Sequence, residues 1–163
     1  MSTDWYSAGF DPTMLPAGLR PIYDYWLAQS GDGAIPSAAE FNPLALPASL
    51  LEAIGIFDMG ERIGSGQGRF LLAGSILIDF YGSEIGTRPL MALLHESRTD
   101  MLEDIAELFT DEDSRLPVFA VVTDPVLRPG SVVSVLVLPL RREPGEPRLT
   151  VIAYAIEGGA AAT

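Results

Sequence analysis

Five apolar, β-rich runs separated by turn residues constrain the fold of this 163-residue chain more than any other feature of its sequence. The last three runs lie at residues 118–123, 132–140 and 149–156. Only segments containing proline and glycine separate them, which predicts three consecutive antiparallel strands. Two earlier runs, at residues 56–62 and 69–78, flank a glycine-rich sequence and predict a hairpin. Together the runs predict a five-stranded antiparallel sheet.

The segment between the second and third strands has the pattern of helices. A capping box at residues 97–100 precedes a long amphipathic helix, and residues 88–94 predict a shorter one. The long helix has an apolar stripe at helical spacing, made of Met101, Leu102, Ile105, Leu108 and Phe109. Because strands and helices do not alternate, the predicted fold class is α+β, an antiparallel sheet with helices on one face.

The N-terminal part predicts a loosely held arm over residues 1–18, followed by an added helix. Glycine and proline are frequent in the arm. The helix carries an apolar stripe of Leu19, Ile22, Tyr23, Trp26 and Leu27. This stripe must be buried, either on the sheet or on a second copy. The sequence thus predicts one domain over residues 19–156 and a frayed tail over residues 157–163.

Charge and cysteine content exclude several classes of partner and site. The formal net charge is −12, and no lysine is present. A nucleic acid or an anionic membrane would be repelled, so neither is expected as a partner. The chain contains no cysteine, which excludes disulfides and thiolate chemistry. No apolar run approaches the ~20 residues that span a bilayer, and no signal peptide is evident, so a cytoplasmic location is expected.

Two groups of short motifs and a late strand resemble a bacterial PAS-like family. The first group comprises Tyr25-Trp26, Gly31 to Gly33, Ile35-Pro36-Ser37, Phe41-Asn42-Pro43, Leu50-Leu51 and Ile56-Phe57-Asp58. The second runs from Phe70 to Ser75 and from Phe80 to Gly86, and the late strand contains Leu138-Pro139-Leu140. The resemblance covers residues 19–156. It implies the five-stranded PAS sheet and a sensory or interaction module that holds a small molecule between sheet and helices.

One departure from that family, and the missing cysteine, limit what the resemblance implies. Leu71 stands where the family tends to have an arginine, so no role of that arginine is carried over. Cysteinyl-flavin photochemistry and thioester-linked chromophores both require a cysteine and are excluded. A non-covalent ligand remains open, and the identity of any cofactor stays unknown.

Three sequence features outside the predicted core could carry chemistry. His95, the only histidine, could ligate haem or act as a base with Glu96 or Asp100, although an isolated histidine also suits an ordinary loop. The carboxylates of the long helix fit a solvated helix face better than a metal site. The glycine-rich turn at residues 64–68 lacks the dinucleotide pattern, so it is interpreted as a hairpin turn.

These observations predict a stand-alone sensory or regulatory domain that acts by binding a small molecule or another protein. The alternatives are a small acid-base enzyme using His95 and a ligand-free adaptor. The residues predicted to line a ligand pocket between the central strand and the long helix are Phe70, Leu72, Met101, Ile105 and Phe109. A homodimer through the N-terminal helix is also predicted, with a signalling protein as a further possible partner.

Overall fold

The structure is a computed structural model that describes eight segments of the chain. They are residues 2–6, 11–29, 35–58, 69–82, 117–125, 128–141, 145 and 149–158. The predicted helices over residues 88–94 and from residue 100 onward lie outside these segments. So do His95, Met101, Ile105 and Phe109.

Six antiparallel strands form one sheet. They are β1 Ser2–Tyr6, β2 Ile54–Asp58, β3 Arg69–Ala73, β4 Val118–Thr123, β5 Ser131–Pro139 and β6 Leu149–Gly158. Their order across the sheet is β1-β4-β5-β6-β2-β3. The predicted five-stranded antiparallel sheet and the α+β class are therefore confirmed in β2 to β6, and β1 adds a sixth strand at the edge of β4.

Both faces of the sheet are covered, and each carries its own apolar core. One face, here called the α3 face, packs against helix α3 (Ser75–Tyr81). The opposite face, the α1 face, packs against helix α1 (Arg20–Gln29) and the short helix α2 (Ala48–Leu51). The center of β5 is buried on both sides, with Val133, Val135 and Val137 on the α3 face and Leu136 and Leu138 on the α1 face. Burial on both sides explains why its sequence is almost uninterruptedly apolar.

Helix α1 is the predicted N-terminal helix, and its apolar stripe is buried on the chain's own sheet. Leu19, Ile22 and Trp26 belong to the core of the α1 face, whereas Leu27 is 44% exposed. The indole Nε1 of Trp26 donates a hydrogen bond to the backbone oxygen of Pro139 at 2.9 Å. Burial of each large apolar side chain contributes roughly 2 kcal/mol, and the buried hydrogen bond fixes where α1 meets the end of β5.

A proline-rich segment connects α1 to β2 and is tied to the same end of β5. The Arg141 guanidinium lies 3.1 Å from the Glu40 carboxylate, and the Arg141 backbone N–H donates to the oxygen of Pro36. Ser37 and Glu40 exchange hydrogen bonds between side chain and backbone in both directions. These contacts hold the segment along the α1 face until α2 leads into β2.

The prediction of a loose arm over residues 1–18 is wrong at two places. Residues 2–6 form β1, paired with β4 over five residues, and Leu15 is buried in the core of the α1 face. Without β1, the edge of β4 would have unpaired backbone N–H and C=O groups. Pairing with β1 satisfies their hydrogen bonds. Similarly, β6 continues to Gly158 and so enters the predicted tail over residues 157–163.

The predicted strand over residues 69–78 is too long, because β3 ends at Ala73 and α3 begins at Ser75. The residue between them, Gly74, lies against the end of α2. Its N–H donates to the oxygen of Ile54 at 2.8 Å, and the N–H of Ile76 donates to the oxygen of Glu52 at 2.9 Å. These bonds bring the start of α3 against the turn before β2, so the chain turns away from the sheet edge there.

Replacing Gly74 by alanine tests this junction. An added Cβ would collide with the backbone oxygens of Leu51 and Glu52, which are fixed and cannot move aside cheaply. We expect Gly74→Ala to lower the free energy of unfolding by about 3 kcal/mol or more in urea titrations. Gly18→Ala is the matched control, because no heavy atom lies within 4 Å of its added Cβ. Equal stability of the two variants would contradict the described packing.

Candidate functional site

A bulge in the β2–β3 pair separates two of the residues predicted to line one pocket. Ile56 pairs with Leu72, but Phe57 pairs with Phe70, so the register shifts between these two pairs. Phe70 is 1% exposed and lies in the core of the α3 face, whereas Leu72 is 39% exposed and lines a groove beside α2. The simple two-residue alternation of a strand would have put both on the same face.

Phe70 belongs to an aromatic cluster on the α3 face. The ring centroids of Phe57 and Phe70 are 5.1 Å apart in edge-to-face contact, and Phe80 contacts Tyr81 in the same geometry at 4.9 Å. Tyr154, in the center of β6, lies 5.7 Å from Phe80. Edge-to-face pairs of this kind each add about 1 kcal/mol to the burial of the rings. The aromatic cluster, defined by these five residues, joins α3 to three strands of the sheet.

Two phenol hydroxyls meet inside the aromatic cluster. Tyr81, at the last turn of α3, and Tyr154, on β6, are hydrogen bonded to each other through their hydroxyl oxygens. Burial raises the pKa of both phenols above the ordinary value near 10, and for Tyr81 the neighbouring Tyr154 raises it further. Both phenols therefore stay protonated and uncharged at neutral pH.

Comparison with known proteins identifies the family. A sequence profile of the PAS domain matches residues 14–154, which is most of the chain. The chain belongs to the PAS domain family. The resemblance seen in the sequence motifs is thereby confirmed, and the matched range nearly coincides with the predicted domain over residues 19–156. No curated protein and no solved structure matches the chain significantly.

Membership of the PAS family indicates a sensory or regulatory domain. Within the segments that the structure describes, no helix is long and apolar enough to cross a membrane. The aromatic cluster of this PAS domain lies between sheet and helix, the region where the sequence resemblance placed a ligand. The structure brings Phe70 into it but not Leu72, and the predicted pocket residues Met101, Ile105 and Phe109 lie outside the described residues.

Sequence reasoning missed both tyrosines of the cluster, for different reasons. Tyr154 follows Ala153 in an otherwise apolar strand, and a tyrosine in a strand that is apolar on both sides is a signal for a buried hydroxyl with a partner. The sequence alone therefore indicates that the Tyr154 hydroxyl is buried and hydrogen bonded. Tyr81 lies next to Gly82 in a glycine-containing segment whose pattern does not predict a helix, and only the helix that begins after Gly74 directs it back to the sheet.

The hydroxyl pair of this PAS domain is suited to hydrogen bonding rather than to proton abstraction. Each phenol has one proton and can also accept. The bond between the two hydroxyls uses one of the two protons, and the other can be donated to an oxygen acceptor. Because both pKa values are raised, neither phenol is a base at neutral pH. The pair can therefore orient an uncharged molecule that carries a carbonyl or ether oxygen.

The alkaline pH dependence of stability tests the burial of both phenols. A phenol whose pKa is higher in the folded than in the unfolded state stabilises the fold below pH ~10 and loses that contribution as the pH rises further. We expect the free energy of unfolding to fall above pH ~10 by about 1.4 kcal/mol per pH unit for each such phenol. The chain has no lysine or cysteine whose titration would obscure this slope.

The measurement is urea unfolding at several pH values between about 9 and 11. The double variant Tyr81→Phe and Tyr154→Phe should lose the slope. Tyr25→Phe is the control, since the Tyr25 hydroxyl donates to the oxygen of Asn42 at the surface and both cluster phenols remain. A slope that persists in the double variant would contradict the assignment.

Proposed function

We propose that this PAS domain senses an uncharged small molecule that binds beside the hydrogen-bonded hydroxyls of Tyr81 and Tyr154. The supporting observation is the hydroxyl pair itself, which places a polar group among phenylalanine rings on the α3 face. Two phenylalanines would fill the same space without the cost of burying a hydroxyl. A polar pair retained in such a core is consistent with a binding role.

The chemistry of the site indicates the class of ligand. Aromatic rings from Phe57, Phe70 and Phe80 favour a flat apolar molecule that can contact ring edges and faces. The phenols offer a hydrogen-bond donor that stays uncharged, so a carbonyl or ether acceptor fits better than a cation. The net charge of −12 disfavours a strongly anionic ligand. A neutral aromatic carbonyl compound satisfies all three conditions.

The position of the hydroxyl pair also provides a physical route for a signal. Tyr81 belongs to α3 and Tyr154 to the sheet, so their hydrogen bond joins the two layers. A ligand oxygen that accepts from one of the two hydroxyls competes with the bond between them and so changes how firmly the end of α3 is held on β6. Ligand-dependent repacking of α3 on the sheet is the mechanism we propose, and a ligand shifts it only by binding one packing more tightly than the other.

Native mass spectrometry of the purified protein tests the ligand proposal. We expect a retained molecule of small mass in the wild-type protein that is lost on denaturation. The variant with Tyr81→Phe and Tyr154→Phe should retain much less, because the donor is gone while the ring volume is kept. Tyr25→Phe should retain as much as the wild type, since its hydroxyl bonds at the surface.

A ligand-free adaptor is the second candidate, and one observation favours it. Val133, Val135 and Val137 are fully buried on the α3 face, as a core filled by its own side chains would be. A wild-type mass equal to that of the bare chain under native conditions would support the adaptor and contradict the sensor. The alternative enzyme depends on His95, which lies outside the described residues.

The homodimer through the N-terminal helix stays a prediction. PAS domains commonly mediate interactions and dimerisation, but Leu19, Ile22 and Trp26 already pack on the chain's own sheet. A second copy would meet only the outer side of α1, where Leu27 is exposed. Light scattering at high micromolar concentration checks this: a dimer that Leu27→Asp dissociates would support it, and a monomeric wild type would contradict it.

A further inference from the structure

A groove of about 390 Å³ opens beside β3, the edge strand of the described sheet, on the side away from the aromatic cluster. It is lined by α2 and the residues flanking it, by β3 and by the start of α3. The lining residues are Leu44, Ala48, Leu51, Glu52, Leu72, Gly74 and Ser75. The volume is within the range that binding sites occupy.

The groove is the center of a larger exposed apolar surface. Six large apolar side chains are exposed among the described residues, and four of them lie at this corner of the fold. Leu44 is 76% exposed and Leu72 39% exposed, and both line the groove. Leu71, 56% exposed, is adjacent to Leu72, and Ile78 lies one turn of α3 after Ser75. A concentration of exposed apolar side chains at one corner of a protein indicates an interaction site.

The extent of the patch favours a polypeptide segment over a small molecule as the occupant. A molecule that filled the groove would still leave Leu71 and Ile78 exposed outside it. The bulge in the β2–β3 pair places the extra residue Leu71 in the edge strand β3, and such a bulge opposes the regular addition of another strand. An amphipathic helix laid across the groove covers the apolar residues without requiring an undisturbed strand edge.

Charge decides which segment fits. Glu52 is the charged residue among the described lining, and it is exposed at the edge of the groove. Asp79, one residue after Ile78, is also exposed. A second copy of the chain would bring the same two carboxylates and a net charge of −12 to this surface. A basic segment of another protein pairs with them instead.

We infer that this groove is the docking surface for a basic amphipathic helix of a partner protein. The large apolar residues of that helix would pack on Leu44 and Leu72, and a lysine or arginine would lie beside Glu52. The inference rests on the proposed regulatory function, since it names the surface through which a signal would leave. Gly74 and Ser75 begin the helix that ends at Tyr81, so α3 connects the groove with the hydroxyl pair.

The test uses two synthetic amphipathic peptides of about 16 residues, long enough to form a marginal helix. Both have leucine at helical spacing, and their polar positions are all lysine in one and all glutamate in the other. Binding of the fluorescently labelled peptides to the full chain is followed by anisotropy. We expect the lysine peptide to bind at least about tenfold more tightly than the glutamate peptide, by an amount that shrinks with added salt.

Variants locate the binding on the groove. Leu44→Ser with Leu72→Ser should weaken binding of the lysine peptide at least about tenfold, as loss of central apolar contacts does. Met14→Ser is the matched control, since Met14 is 44% exposed and does not line the groove. Glu52→Gln should weaken binding and reduce its salt dependence. Glu157→Gln, at the exposed end of β6, removes the same unit of charge elsewhere and should not.

Three outcomes would overturn the inference. The first is no binding of the lysine peptide at millimolar concentration, and the second is equal loss of binding in the groove and control variants. The third is a wild-type dimer in sedimentation analysis that Leu44→Ser with Leu72→Ser dissociates, which would assign the groove to a second copy. No small molecule takes part in these measurements, so their failure is distinct from failure of the ligand proposal.

Discussion

The pairing of β5 with β6 is the interaction on which the rest of the fold depends. The two strands are paired over nine residues, from Ser131 with Gly158 to Pro139 with Thr150. β4 adds to the free side of β5, and β2 adds to the free side of β6. Because β5 and β6 are covered on both faces, their register also sets the two apolar cores. A slip of one residue would exchange the side chains of the two faces.

The helices on the two faces of the sheet are held on this central pair of strands by different contacts. On the α1 face the contacts are apolar, with hydrogen bonds and an ion pair at the end of β5, where Trp26 and Arg141 hold α1 and the proline-rich segment. On the α3 face the described cover is a seven-residue helix joined to β6 through the tyrosine hydroxyls. A short helix held by a few aromatic contacts changes its packing at lower free-energy cost than a longer helix buried along its stripe. This difference supports the proposal that a ligand acts on the α3 face.

The sequence predicts best those parts of the fold whose apolar runs fit only one kind of element, a buried strand. The strand predicted at residues 118–123 matches β4 in full, and that at residues 132–140 is shifted by one residue from β5. These runs are too apolar and too long to be turns, and the short connections between them permit only antiparallel neighbours. Periodicity does not contain the order of the strands across the sheet, which is β1-β4-β5-β6-β2-β3.

The prediction fails where the local sequence fits both a strand and a helix. There, a contact with a residue distant in the sequence determines which of the two forms. Residues 70–81 are apolar at spacings that suit both a strand and a helix, so the pattern does not fix where β3 ends. The collision between any side chain at Gly74 and the end of α2 fixes it, and that contact joins segments more than twenty residues apart. The bulge opposite Ile56 is likewise not evident from the local sequence, and it puts Leu72 and Phe70 on opposite faces of the sheet. Both errors concern the predicted site rather than the scaffold.

Those two local irregularities also create the arrangement on which the proposed function depends. The turn at Gly74 starts α3 at the groove and sends its last residue, Tyr81, to the aromatic cluster. The bulge exposes Leu72 at the groove while it keeps Phe70 inside the cluster. A regular, longer β3 would have placed neither Leu72 at the groove nor Tyr81 in the aromatic cluster. One seven-residue helix therefore contacts both surfaces, so the proposed ligand site and the proposed docking groove are joined by a single element.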